Sequence, residues 1–72
     1  MNAVKERFGA RLRLARRRMD WSQDDLELAS GIGKPRLSRY ENGHIESPRL
    51  DTVEKLADVL GVDPAWLVGW KR

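Results

Sequence analysis

The sequence predicts an all-α domain of five short helices, and three observations carry that reading. Apolar residues recur three and four positions apart in successive stretches. Residues that start or stop helices bound each stretch: Ser22, Gly31, Gly33, Asn42-Gly43, Gly61 and Asp63-Pro64. No stretch shows the strict apolar/polar alternation of a half-buried strand.

The first helix carries Val4, Phe8, Leu12, Ala15 and Met19 as one narrow apolar stripe. Successive helical residues are about 100° apart, so Arg16, Arg17 and Arg18 cannot share a face. Arg17 points away from the stripe. Arg16 lies at its edge, one turn beyond Leu12, and can reach inward. Asp20 fits the stop, because Asp tolerates the left-handed conformation better than most residues. Ser22 then caps the second helix, with Asp25 three residues on completing a capping box. Asp24 and Asp25 suit the positive end of the helix dipole. Leu26, Ala29 and Ser30 are expected to face inward. Gly31 supplies the positive φ that ends this helix, and Ile32 plugs the turn.

Gly33 caps the third helix, and Pro35 falls in its first turn, where a missing N–H costs little. Leu37 and Tyr40 share one face with Glu41 beside them, while Pro35, Ser38, Arg39 and Asn42 share the opposite one. Asn42-Gly43 stops the helix before a loop through His44, Ile45 and Glu46. Ser47-Pro48 opens the fourth helix, whose first residue falls between 48 and 50 and whose inward stripe is Leu50, Val53, Leu56, Ala57 and Leu60. Gly61 ends it. Asp63-Pro64 caps a short fifth helix holding Trp66 and Leu67, closed by Gly69. No repeat or low-complexity linker divides residues 1–72, which read as one domain with a thin core.

Composition narrows the function classes. The chain has no cysteine and one histidine, so neither a disulfide framework nor a metal site is expected, and no cofactor is implied. No apolar run approaches the roughly 20 residues of a membrane span. The Arg-rich start lacks the apolar centre of a signal peptide, which points to the cytoplasm. His44 and Ser47 lack an acidic orienting partner and an oxyanion motif, and so small a domain has little room for a small-molecule pocket. An enzyme is not expected. The charge is uneven. Residues 1–18 hold seven bases against Glu6, residues 19–33 hold four acids and no base, and residues 34–49 hold four bases and two acids. Two positive segments in a chain of net charge +3 suggest a polyanion on one side, or a solvated face in the case of the first helix.

A short helix with an apolar inner face, a cationic outer face and a second helix braced behind it suits the DNA major groove. The landmarks Arg16, Ser22-Gln23, Leu26, Gly31, Leu37-Ser38-Arg39-Tyr40-Glu41-Asn42-Gly43, Pro48, Leu56-Ala57 and Leu60-Gly61-Val62 together resemble the lambda-repressor-like helix-turn-helix family. That family includes phage repressors, Cro proteins and XRE-type bacterial regulators. The resemblance covers roughly residues 8–67, with the helix-turn-helix at about residues 22–43. It implies a compact five-helix DNA-binding domain whose third helix enters the major groove. The base-reading positions would fall on Gly33, Lys34, Pro35, Ser38 and Arg39. Ser22 and Gln23 would grip a phosphate, Arg16 would pair with Glu41, and Arg49 would approach the backbone or minor groove. Arg36 and Asn42 flank the reading face and suit phosphate.

Arg39 is the first candidate for direct readout, because Arg pairs bidentately with guanine O6 and N7. Lys34 and Ser38 suit base or phosphate equally. Pro35 offers only apolar contact, for example to a thymine methyl. The resemblance fails at Glu27, where the family usually has Ala. Either the second and third helices sit further apart, or Glu27 bends out to pair with a nearby Arg. The expected function is a sequence-specific transcriptional regulator, a repressor, binding a two-fold operator in double-stranded DNA as a homodimer. Val68 and Trp70 are the expected dimer contacts, since DPAWLVGW holds more apolar bulk than one short helix buries beneath itself. The alternative is an antitoxin or other partner-binding regulator that also binds DNA.

Overall fold

A computed structural model describes residues 3–44 and 48–69, with side chains from Arg7 onward. Val4's side chain, Ile45, Glu46, Ser47 and Trp70 lie outside the described residues. Five helices follow in order: α1 (Ala3–Arg18), α2 (Gln23–Ser30), α3 (Lys34–Glu41), α4 (Leu50–Leu60) and α5 (Pro64–Leu67). The described residues contain no strand.

The helix ends follow from local chemistry. Asp20 takes the left-handed conformation at φ 58°. Its N–H donates to Arg17 O at 3.0 Å and that of Trp21 to Arg16 O at 3.1 Å, closing α1 in a Schellman turn. Ser22 and Asp25 form a reciprocal capping box: Ser22 Oγ accepts from Asp25 N at 3.1 Å, and Ser22 N donates to Asp25 Oδ2 at 2.8 Å. Gly31 turns the chain at φ 75°, and Ser30 Oγ bridges the corner by donating to Leu26 O and accepting from Ile32 N. These bonds make the turn between α2 and α3 tight, which sets the angle of α3.

α1 packs against α3 and α5, α2 against α3 and α4, and α4 against α5. Phe8, Leu12, Leu26, Leu37, Leu56 and Leu67 are fully buried at the centre. Phe8 meets Tyr40 edge-on, with ring centroids 5.3 Å apart. Gly9 lets α1 lie directly against the last turn of α3, because a Cβ there would fall 2.5 Å from Tyr40 O.

Three expected core residues lie outside. Met19 is exposed because α1 ends at Arg18 and the chain leaves the helical progression, so Trp21 packs on the core instead. Ala29 is exposed because α2 buries only the face carrying Leu26 and Ser30. Leu50 is the first residue of α4 and projects into solvent, while Thr52 is buried. Among the described residues, no helix is long and apolar enough to cross a membrane.

Candidate nucleic-acid interface

α3 sorts its residues by face. Leu37, Tyr40 and Glu41 are buried, and Lys34, Pro35, Arg36 and Arg39 are exposed with Ser38 half-buried between them. Gly33 precedes the helix with extended backbone and no side-chain cap. The guanidinium of Arg39 has no hydrogen bond or ion pair with any described residue. Arg36 lies over the Tyr40 ring, 5.6 Å from its centroid, which limits where its guanidinium can swing. Lys34 is tied to α2 through an exposed contact, Nζ to Asp24 Oδ1 at 3.3 Å.

The helix is held in place from behind by Glu41. Its carboxylate, 1% exposed, accepts from Arg16 Nε at 2.7 Å and Arg16 Nη2 at 2.9 Å, a two-pronged pair joining α3 to α1. Gln23 Nε2 adds a bond at 3.3 Å from α2, and Arg13 Nε another at 3.4 Å. Burial opposes the charge on Glu41, but the hydrogen bonds and charge of Arg16, with Gln23 and Arg13, outweigh it and keep the carboxyl below its usual range. Arg16 also donates to Trp21 O at 2.8 Å, tying the same cluster to the end of α1.

Of the expected phosphate-gripping residues, Ser22, Gln23, Asn42 and Arg49 sit at helix ends. Ser22 and Gln23 start α2, and Gln23's amide is steered by Glu41. Asn42 follows α3, with its Oδ1 accepting from Arg13 Nη2 at 3.2 Å and its Nδ2 within 3.4 Å of Ser38 Oγ. Arg49 precedes α4 and meets Asp51 at 3.3 Å, with both side chains about three-quarters exposed. Sequence reasoning missed Arg13. The available signal was its place one turn before Arg16 on α1, which sets both guanidinia toward the end of α3.

Three expectations need correction. Several α1 cations have partners within the protein: Arg7 donates to Gly69 O, Arg11 donates to Trp66 O and stacks on its ring, and Arg18 also lies over Trp66. Val68 is buried in the monomer's own core at 9% exposure, because the last turn of α5 folds it inward, so it is not left for a partner. Trp70, its expected companion, lies outside the described residues. Of the two courses expected for Glu27, pairing with a nearby Arg is not seen among the described residues, and α2 and α3 are in contact.

A family model described as Helix-turn-helix matches residues 12–67. The chain is 41% identical over 61 residues to the cryptic phage CTXphi transcriptional repressor RstR of Vibrio cholerae, covering 85% of this chain and 54% of that protein. It is 40% identical over 55 residues to the uncharacterized HTH-type transcriptional regulator RghRB of Bacillus subtilis, covering 76% of this chain and 40% of that one. The chain thus spans about half, or less, of the length of these relatives. The crystal structure of a hypothetical transcription factor from Neisseria superposes with a TM-score of 0.83 at 28% identity, covering 90% of this chain and 74% of that one. The match takes in the capped turn between α2 and α3, the Glu41 anchor and the helices behind it, and the chain belongs to the lambda-repressor-like, XRE-type helix-turn-helix family.

Proposed function

We propose that this chain is the DNA-binding domain of a sequence-specific transcriptional regulator, a repressor that acts by occupying its operator. Two copies bind a two-fold operator in double-stranded DNA as a homodimer. The observation that carries this reading is α3 itself. Its inner face is fixed by Leu37, Tyr40 and the Glu41 cluster, while Arg39 stands exposed on the outer face beside Lys34, Pro35 and Ser38, with no hydrogen bond or ion pair to any described residue. A helix held this firmly presents side chains to base edges without first having to order itself. The repressor role draws on the name of the Vibrio cholerae relative.

Phosphate contacts and base contacts separate experimentally. Selection of bound duplexes from a random pool should yield a motif with a guanine assigned to Arg39. Arg39→Ala should relax that one position, at a cost of about 1–3 kcal/mol in discrimination. Arg36→Ala should weaken all sequences alike and reduce the slope of log affinity against log salt by about one. An unchanged motif with Arg39→Ala would show that this residue does not read a base.

A further inference from the structure

Glu27 sits on α2 beside the first residue of the reading face. A Cβ built on Gly33 would come within 3.9 Å of Glu27 Oε2, so the carboxylate lies along the start of α3. Glu27 is half-buried, and no described side chain forms an ion pair or hydrogen bond with it. The other local acids are engaged differently: Asp24 meets Lys34, and Asp25 completes the cap on Ser22. Glu27 therefore presents a charged, acceptor-only group at one end of a surface otherwise suited to a polyanion.

Such a group opposes DNA unless the duplex returns a hydrogen-bond donor to it. Phosphates carry no donor. Among major-groove edges, amino groups are the donors, and a carboxylate characteristically accepts from cytosine N4. Gly33, having no side chain, leaves the approach to the carboxylate open. We propose that Glu27 is a specificity-determining residue that accepts the N4 amino proton of a cytosine at the edge of the α3 footprint, and that it penalises a base that places an acceptor, such as guanine O6 or thymine O4, at that point. This rests on the DNA-reading function proposed above.

The test is selection from a random duplex pool with the wild-type chain, Glu27→Gln and Glu27→Ala, with thermal melts confirming that each folds. Ala is a strong helix former and fits a half-buried position, so the fold should persist. The wild type should enrich cytosine at a base pair distinct from the one lost in Arg39→Ala. Both Glu27 variants should lose that preference, on the order of tenfold, while keeping the Arg39-dependent position. Glu27→Ala should also bind unrelated duplexes more tightly than wild type does. A motif that keeps its cytosine in both variants overturns the proposal. So does a uniform rise in affinity with no change of motif, which would make Glu27 a repulsive charge alone. If the wild type enriches no motif at all, the DNA-reading function fails, and this proposal with it.

Discussion

Glu41 is the residue on which the placement of α3 depends, and its charge is held by side chains and not by water. Removing it strands Arg16, whose side chain is 11% exposed, beside a vacated carboxylate site. Breaking one partner of a buried pair costs about 3–5 kcal/mol. A chain of this length has a total stability of roughly 4–11 kcal/mol. Glu41→Ala should therefore lose a large part of its stability in urea, and replacing Arg16 and Glu41 together by apolar residues should return part of it. Equal urea midpoints for wild type and Glu41→Ala would show that the pair contributes nothing. The pH dependence has a definite sign. The folded carboxyl holds its proton less tightly than the unfolded one, so the pair's contribution is complete above the ordinary carboxyl range. It is lost as pH falls through the lower folded value. Wild-type melting temperatures should drop through this acid range more steeply than those of Glu41→Gln, and parallel profiles would remove Glu41 as the responsible group.

At the scale of elements, the contact between α1 and α3 turns on Gly9. Helix propensity alone favours Ala over Gly by about 1 kcal/mol. Here the added Cβ would meet Tyr40 O at 2.5 Å and Glu41 O at 2.8 Å, backbone atoms that move only if α3 moves. Gly9→Ala should therefore be net destabilising, by roughly 1–3 kcal/mol. It should also bind DNA more weakly even when fully folded, because the reading helix is displaced. A Gly9→Ala chain more stable than wild type in chemical denaturation would show that the two helices are not in close apposition. Gly9 is silent in the sequence, where it reads only as a weak helical residue. The helix ends were legible, because Ser22, Gly31, Gly61 and Asp63 act through bonds to neighbours a few residues away. The Arg16–Glu41 pair was implied by the family resemblance, and the placement of both residues at the edge of an apolar stripe agreed with it. Arg13 and Gln23 were not read as partners of Glu41, since their convergence depends on how three helices cross. Met19 and Leu50 were misplaced for a related reason: periodicity carried to or past a helix end does not foresee where the chain turns. Val68 was misplaced because a count of apolar bulk does not say which residues the core takes in.

For the whole molecule, the question is how one small body reads enough DNA. An eight-residue helix is about 12 Å long and spans only a few base pairs. Two copies on one face of the duplex place their reading helices about 34 Å apart. The described body measures 29 × 23 × 20 Å between Cα positions. With the longest axis laid along the DNA and α3 near the middle of the body, the described residues of neighbouring copies would approach end to end through side chains. An end-to-end contact between the described residues alone would be small beside the roughly 1,200 Å² of a stable protein interface. The homodimer is therefore expected to assemble on the operator, held together by the spacing of its half-sites. Sedimentation should show a monomer in free solution at micromolar concentration and two chains on a duplex carrying both half-sites. Inserting about half a turn, roughly 5 base pairs, should move the second copy to the opposite face and abolish any cooperativity. Equal, independent affinities at both spacings would show that the copies do not touch, and the homodimer would then give way to two monomers reading separate sites.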